Sequence, residues 1–199
     1  MKVMKFGGAV LKSPEGFDKM AEIIDSTDDR PILIIISAFS KATSKLKKAA
    51  VTAEDGNEKE AATLVKEIVD EYKFFAGKII SEKDISEALD QVFDEGEKTI
   101  NGYIHGVAVT RELTERTQDA ILSFGEYFAL HTVHHFLREK GISIHRFDST
   151  SVLVSDSNYG NANPLLAQTK DKVEKYLKPA LSKHGGLVTQ GFVAMDTKG

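Results

Sequence analysis

The chain has 199 residues, 26 of them basic and 30 acidic, for a formal net charge of −4, and it is 41% hydrophobic and 28% charged. That is the composition of a globular protein able to bury its own core, and its acidic balance lacks the basic stripe of a nucleic-acid-binding surface. The absence of cysteine excludes disulfides, a thiol nucleophile and thiolate-bound zinc. With no apolar run near the ~20 residues that span a bilayer and no signal-peptide layout at the N-terminus, the expectation is a cytoplasmic protein without membrane contact.

Lys2 to Phe6 reads as a short strand entering Gly7-Gly8. Ser13-Pro14 then opens a helix whose inner face would carry Phe17, Met20, Ile23 and Ile24. After Pro31, Ile32 to Ile36 is a continuous apolar strand, as expected where both faces of a parallel sheet are covered. It runs into Ser37-Ala38-Phe39-Ser40-Lys41-Ala42-Thr43. Ser44 to Lys140 reads as helical, interrupted at Asp55-Gly56-Asn57 and again at Asn101 to Gly106, with Gly141 as the last C-cap. Ile142 to Phe147 alternates like a half-buried strand, Val152 to Val154 is a second extended run, and Ser155 to Pro164 is a polar loop. Pro164 to His184 reads as helix, and Leu187 to Val193 as the final core strand. Met195 to Gly199 resembles the start of a hairpin or loop whose partner is absent. The pattern predicts an α/β fold, a largely parallel sheet sandwiched by helices.

Several groups of residues can carry chemistry. Lys5-Phe6-Gly7-Gly8 places an ammonium near the end of a strand, where burial would demand an anion or water. The two glycines allow the backbone to present N–H groups to a phosphate; a surface lysine before a tight turn is the plainer reading. Ser37, Ala38, Ser40 and Thr43 follow a strand end, where open α/β sheets bind ligands, although the same residues suit an ordinary helix-capping loop. Ser123-Phe124-Gly125-Glu126 puts a glycine inside a helix, at a cost of about 0.5–1 kcal/mol, beside a carboxylate among aromatic residues. A substrate ammonium, Arg116 or solvent would each satisfy Glu126, and Asp119 is a weaker candidate. Gly191, in Thr189-Gln190-Gly191-Phe192, again allows a ligand near a strand end. His131, His134 and His135 share one helix face but no carboxylate completes a metal site, so a partly solvated or interface face is expected. Lys41, Lys45, Lys47 and Lys48 read as a solvated helix face.

Together these pieces resemble the N-terminal part of the aspartate kinases in the amino-acid kinase family. Lys5-Phe6-Gly7-Gly8 matches its opening K-F-G-G, Ser37-Ala38 with Thr43 its second strand end, and Ser123 to Glu126 its S-x-G-E helix. Asp156 to Pro164 matches a D-S-N-[FY]-G-N-A-x-P-like loop, and Thr189 to Phe192 a T-x-G-F strand end. Ala9 and Val10 depart from the hydroxylated pair usual after the glycines. The family's G-R-G-G-S-D segment, with its catalytic aspartate, is expected only after Gly199. The resemblance therefore implies that residues 1–199 are the amino-acid-binding part of a catalytic domain, a truncated chain or fragment lacking the nucleotide half and regulatory domains. It implies transfer of the ATP γ-phosphoryl group to L-aspartate, giving 4-phospho-L-aspartate, the first step of lysine, threonine and methionine biosynthesis. Lys5 would be catalytic and, with Phe6, Gly7 and Gly8, would bind phosphate. Ser37, Ala38, Thr43, Glu126, Gly191 and Phe192 would bind substrate, with Mg²⁺ on the phosphates and no dedicated metal ligand in the protein. The full-length enzyme would be a homo-oligomer. The alternatives are another amino-acid or carbamate kinase of the same fold, or a non-catalytic small-molecule-binding module.

Overall fold

A computed structural model describes residues 1–39 and 41–198; Ser40 and Gly199 lie outside the described residues. The first unit is β1 (Lys2–Phe6), α1 (Pro14–Asp25) and β2 (Ile32–Ile36). Ser13 caps α1 through its hydroxyl, which accepts from the Gly16 N–H, and Pro14 sits in the first turn. The inner face of α1 carries Phe17, Met20, Ala21 and Ile24. Ile23, expected there, is 39% exposed because the stripe closes through Ala21 instead.

Four helices follow: α2 (Ala42–Glu54), α3 (Glu58–Ile79), α4 (Lys83–Thr110) and α5 (Glu115–Glu139). The interruption expected at Asn101 to Gly106 does not occur, and α4 runs through it. Ile100, Ile104 and Val107 are buried at helical spacing, each contributing about 1.5–3 kcal/mol. Gly102 and Gly106 cost about 1 kcal/mol each, so burial wins. The break falls instead between Ile80 and Glu82, where Glu139 accepts from the backbone N–H groups of Ser81 and Glu82 and from the Ser81 hydroxyl.

The chain continues through β3 (His145–Arg146), a 3₁₀ turn at Ser149–Ser151, β4 (Val154–Ser155), a continuous helical run of α6 (Leu166–Lys172), a π turn at Val173–Leu177 and α7 (Lys178–His184), then β5 (Gly186–Gln190) and β6 (Met195–Asp196). The strand expected over Ile142 to Phe147 shrinks to two residues, and Ile142 and Ile144 are buried ahead of it. The expected strand Leu187 to Val193 stops at Gln190 because Phe192 turns to a left-handed φ of 62°. β6 does have a partner: it pairs in parallel with β4, correcting the expectation of an orphan hairpin.

The main sheet runs β1-β2-β5-β3, all parallel. Ile32, Ile34 and Ile36 are fully buried on the face packed by helices, while Leu33 and Ile35 are half-buried on the other. The helical layer is filled by an aromatic cluster: Phe17 meets Phe39, Phe75 and Phe136, and Tyr72 meets Phe39, Phe93 and Phe128. Among the described residues no helix is long and apolar enough to cross a membrane.

Candidate functional site

Three parallel strands finish at one edge of the sheet, for Phe6 is level with Ile36 and Ile36 with Gln190. The segments that follow them therefore emerge side by side. The Ser37 N–H donates to the Phe6 carbonyl at 3.3 Å, and the Gly191 N–H donates to the Ile36 carbonyl at 2.8 Å. A Cβ at Gly8 would lie 2.7 Å from the Ala38 carbonyl oxygen, so glycine lets the first two segments touch. A Cβ at Gly7 would meet nothing within 4 Å among the described residues, leaving room beside that backbone. Phe6 itself is buried, its side chain turned into the core.

Lys5 is exposed, so the burial argument that singled it out does not hold. Its Nζ lies 5.3 Å from the ring centroid of Phe192, which is 85% exposed. A bulky residue in left-handed backbone costs about 1–2 kcal/mol, and Phe192 carries that cost at the edge of the site. Lys41 shares the left-handed conformation, with φ 56°, where the chain turns into α2. Thr43 is exposed in the first turn of α2, and Ser37 and Ala38 are half-buried. Ser40 belongs to this loop in sequence but lies outside the described residues.

Glu126 completes the arrangement from α5. It is 8% exposed, and its Oε1 accepts from the Ala38 N–H at 3.4 Å. Burial pushes this carboxyl above its ordinary range, opposed by the backbone hydrogen bonds from Ala38 and from its own N–H. Gly125 makes the meeting possible: a Cβ there would stand 3.2 Å from Ala38 Cβ, 3.3 Å from Ala42 Cβ and 3.6 Å from the Thr43 nitrogen. Arg116, the other protein partner considered for Glu126, stacks its guanidinium 5.7 Å from the Tyr159 ring centroid. Asp119 accepts from the Gly160 N–H at 2.7 Å, so it anchors the 155–164 loop to α5. That loop is further tied down by Asp156, which accepts from the N–H groups of Asn158 and Asn163, and by Tyr159, whose hydroxyl donates to Asp196 at 2.6 Å.

Three residues that the sequence does not single out hold the site in place. Phe39, 2% exposed, plugs the loop after β2 into the aromatic cluster. Tyr72, 1% exposed, places its hydroxyl 3.2 Å from the Gly125 carbonyl and 3.5 Å from that of Phe39. Gln190, 5% exposed, donates to Asp148 at 2.6 Å and accepts from the Ser149 N–H. Phe39 carried a visible signal, as the one large apolar residue in a small polar loop; Tyr72 and Gln190 carried none.

Of the three histidines expected on a partly solvated or interface face, His131 and His135 are buried, at 6% and 8% exposed, and His134 is half-buried. Arg146 donates to His131 Nε2 at 3.1 Å, which places the imidazole proton on a buried and unpartnered Nδ1. Burial, followed by Arg146, holds the His131 pKa down to about 3; burial, followed by His135, holds His134 to about 4. Among the described residues no group of three or more acidic or histidine side chains could hold a metal ion. Lys41, Lys47 and Lys48 are solvated as expected, and Lys45 pairs with Glu71.

The model of the amino acid kinase family matches residues 1–199. The chain is 28% identical over 196 residues to the chloroplastic aspartokinase 2 of Arabidopsis thaliana, covering 96% of this chain and 34% of that protein. It is 25% identical over 201 residues to the lysine-sensitive aspartokinase 3 of Escherichia coli (strain K12), covering 99% of this chain and 41% of that protein. In fold it matches the crystal structure of E. coli aspartokinase III in complex with lysine and aspartate, with a TM-score of 0.84 at 23% identity, over 100% of this chain and 42% of that one. A second structure of that enzyme, in complex with aspartate and ADP, gives a TM-score of 0.81. The chain thus spans about a third of the length of the Arabidopsis relative.

Proposed function

The chain belongs to the amino acid kinase family, and on that premise we propose that it forms the amino-acid-binding part of an aspartate kinase. The reaction assigned to the whole enzyme is transfer of the ATP γ-phosphoryl group to the side-chain carboxylate of L-aspartate. A carboxylate oxygen attacks the γ-phosphorus, the bond to the β,γ-bridging oxygen breaks, and ADP leaves with that electron pair. The nucleophile is already ionised at neutral pH, so no base is required and the protein's work is positioning and charge neutralisation.

The observation that carries this reading is Glu126. It is a buried carboxylate at the edge where three strand-end segments converge, with the Ala38 N–H its cross-loop hydrogen-bond donor. A substrate ammonium is the ligand that such a group favours, since an opposite charge relieves its desolvation. Ser37 and Thr43 would orient the aspartate carboxylates. Lys5 would act as a point charge on the phosphates, and the space beside Gly7 would admit the transferred phosphoryl group. Gly191 and the Phe192 ring would bound the pocket. Mg²⁺ enters on the phosphate oxygens as part of the nucleotide substrate. The similarity to aspartokinases over 96% of the chain supports the choice of acceptor. A cytoplasmic or other soluble compartment fits the absence of a membrane-crossing helix among the described residues.

The test is direct. With ATP, Mg²⁺ and hydroxylamine, a longer protein containing these residues should convert L-aspartate to its hydroxamate, the trapped form of an acyl phosphate. A panel of L-glutamate, N-acetyl-L-glutamate and carbamate should react at least tenfold more slowly. Preference for any of the three would replace aspartate as the acceptor, and reaction with none of the four, aspartate included, would remove the kinase reading.

A further inference from the structure

We propose that Tyr72 is a positioning residue that fixes the contact between Ala38 and Glu126 by holding the two segments that carry it. The inference rests on the reading above, in which that contact forms the acceptor side of the site. Tyr72 sits on α3, which supplies no candidate ligand group of its own. Its ring is packed among Phe39, Phe93 and Phe128, with centroids 4.6, 5.8 and 5.4 Å away. For that packing a phenylalanine would serve as well. The hydroxyl is what needs a reason, because a buried phenol must find a partner.

The partners are informative. The hydroxyl lies 3.2 Å from the Gly125 carbonyl and 3.5 Å from the Phe39 carbonyl. Gly125 immediately precedes Glu126, and Phe39 immediately follows Ala38. One phenol thus stands between the neighbours of the two residues whose side chain and N–H meet at 3.4 Å. It has a single proton, so it bonds Gly125 and leans on Phe39 at the limit of hydrogen-bond distance. The Phe39 carbonyl already accepts from the Ala42 N–H at 3.1 Å, so it does not depend on Tyr72 for satisfaction. The phenol is therefore a tie between segments 53 and 33 residues away in sequence. Burial keeps it far above its ordinary titration range, with the Glu126 charge acting in the same direction, so it remains the neutral donor at every working pH.

The experiment uses the 199-residue chain and Tyr72→Phe, which keeps the ring and removes the tie. In ¹⁵N spectra the Ala38 amide should titrate with Glu126 in the parent chain. In Tyr72→Phe that pH-dependent shift should fall by half or more, and Ala38 amide exchange should accelerate about tenfold, while the chain still melts cooperatively. In a longer, active protein the same change should raise the KM for L-aspartate three- to tenfold and leave the KM for ATP and kcat within twofold. An unmoved Ala38 amide, or equal losses for both substrates, would overturn the proposal and reduce Tyr72 to core packing. Should Tyr72→Phe not fold, Glu126→Gln must shift the ¹³Cζ resonance of Tyr72 in an otherwise intact chain; no shift would equally overturn it. If the parent protein fails to phosphorylate L-aspartate, the acceptor assignment falls alone, because the Ala38 readout judges Tyr72 without any substrate.

Discussion

Replacing Gly125 by alanine sets two physical effects against each other, and the structure says which wins. In an exposed helix interior the change would stabilise by about 0.8–1 kcal/mol, since glycine is a poor helix former. At this place the new Cβ stands 3.2 Å from Ala38 Cβ and 3.3 Å from Ala42 Cβ, several tenths of an ångström inside comfortable contact. Ala42 is 1% exposed and locked in the first turn of α2, so the half-buried Ala38 must give way. Overpacking of this kind costs about 1–3 kcal/mol. The difference is a net loss between roughly zero and 2 kcal/mol. The functional effect should be larger than the stability effect. The Ala38 N–H to Glu126 bond is already long at 3.4 Å, and a retreat of Ala38 breaks it. Glu126 would then keep its desolvation and lose its cross-loop donor. Denaturant unfolding and the Ala38 amide shift report the two effects separately, and kinetics should show a raised KM for aspartate. A variant about 1 kcal/mol more stable than the parent, with the Ala38 signal unmoved, would refute the claim that Gly125 is there for close approach.

Two other outcomes follow from the same geometry. Lys5→Ala, at an exposed position, should leave the melting temperature within about a degree and depress kcat strongly with little change in aspartate affinity, because its assigned partner is phosphate charge that grows in the transition state; unchanged kinetics would return Lys5 to the surface-lysine reading. Stability should fall in acid below pH 6.5, for His131, His134 and His135 are neutral when folded and protonate near 6.5 when unfolded. Each lowered histidine contributes stability that is complete above 6.5 and lost as pH drops toward its folded value, about 3 for His131 and about 4 for His134, at up to about 1.4 kcal/mol per pH unit. Glu126, raised by burial, has the opposite sign: its buried charge is a cost at neutral pH that protonation removes. His131→Gln should therefore flatten the decline between pH 6 and 4, measured by thermal melts, and a flat profile in the parent chain would contradict the buried-histidine account.

The order of elements was legible because it rests on local patterns. Ser13-Pro14 reads as a cap and Ile32 to Ile36 as a buried strand whatever surrounds them, and the glycines mark the strand ends. Where the reading failed, tertiary packing had overruled a local cue. Gly102 and Gly106 look like a break, but Ile100, Ile104 and Val107 bury a stripe that carries α4 through them. The histidine face looks polar, yet α5 lies deep enough to bury His131 and His135 and leave only His134 half-buried. At the site, Gly125 and Glu126 were identifiable as residue types out of place in an aromatic helix, and Gly8 and Ala38 as residues at strand ends where ligands bind. The role of Asp119 as an anchor for the 155–164 loop was not legible, because the Gly160 N–H that it accepts from lies 41 residues away. Tyr72 gave no sign, since only the fold brings its hydroxyl to the carbonyls of Gly125 and Phe39.

Glu126→Gln tests, with the least disturbance, the proposal that Glu126 receives the ammonium of an amino acid. The amide keeps the shape of the side chain and deletes the charge at a site that is 8% exposed. Losing a charge-assisted hydrogen bond there should cost on the order of 1.5–3 kcal/mol of aspartate binding. That corresponds to a rise of about ten- to hundredfold in the KM for L-aspartate of a longer, active protein. The KM for ATP should stay within twofold, and circular dichroism should show an intact fold. Equal losses for ATP and aspartate, or no loss for either, would mean that Glu126 is a structural carboxylate and that the acceptor site lies elsewhere.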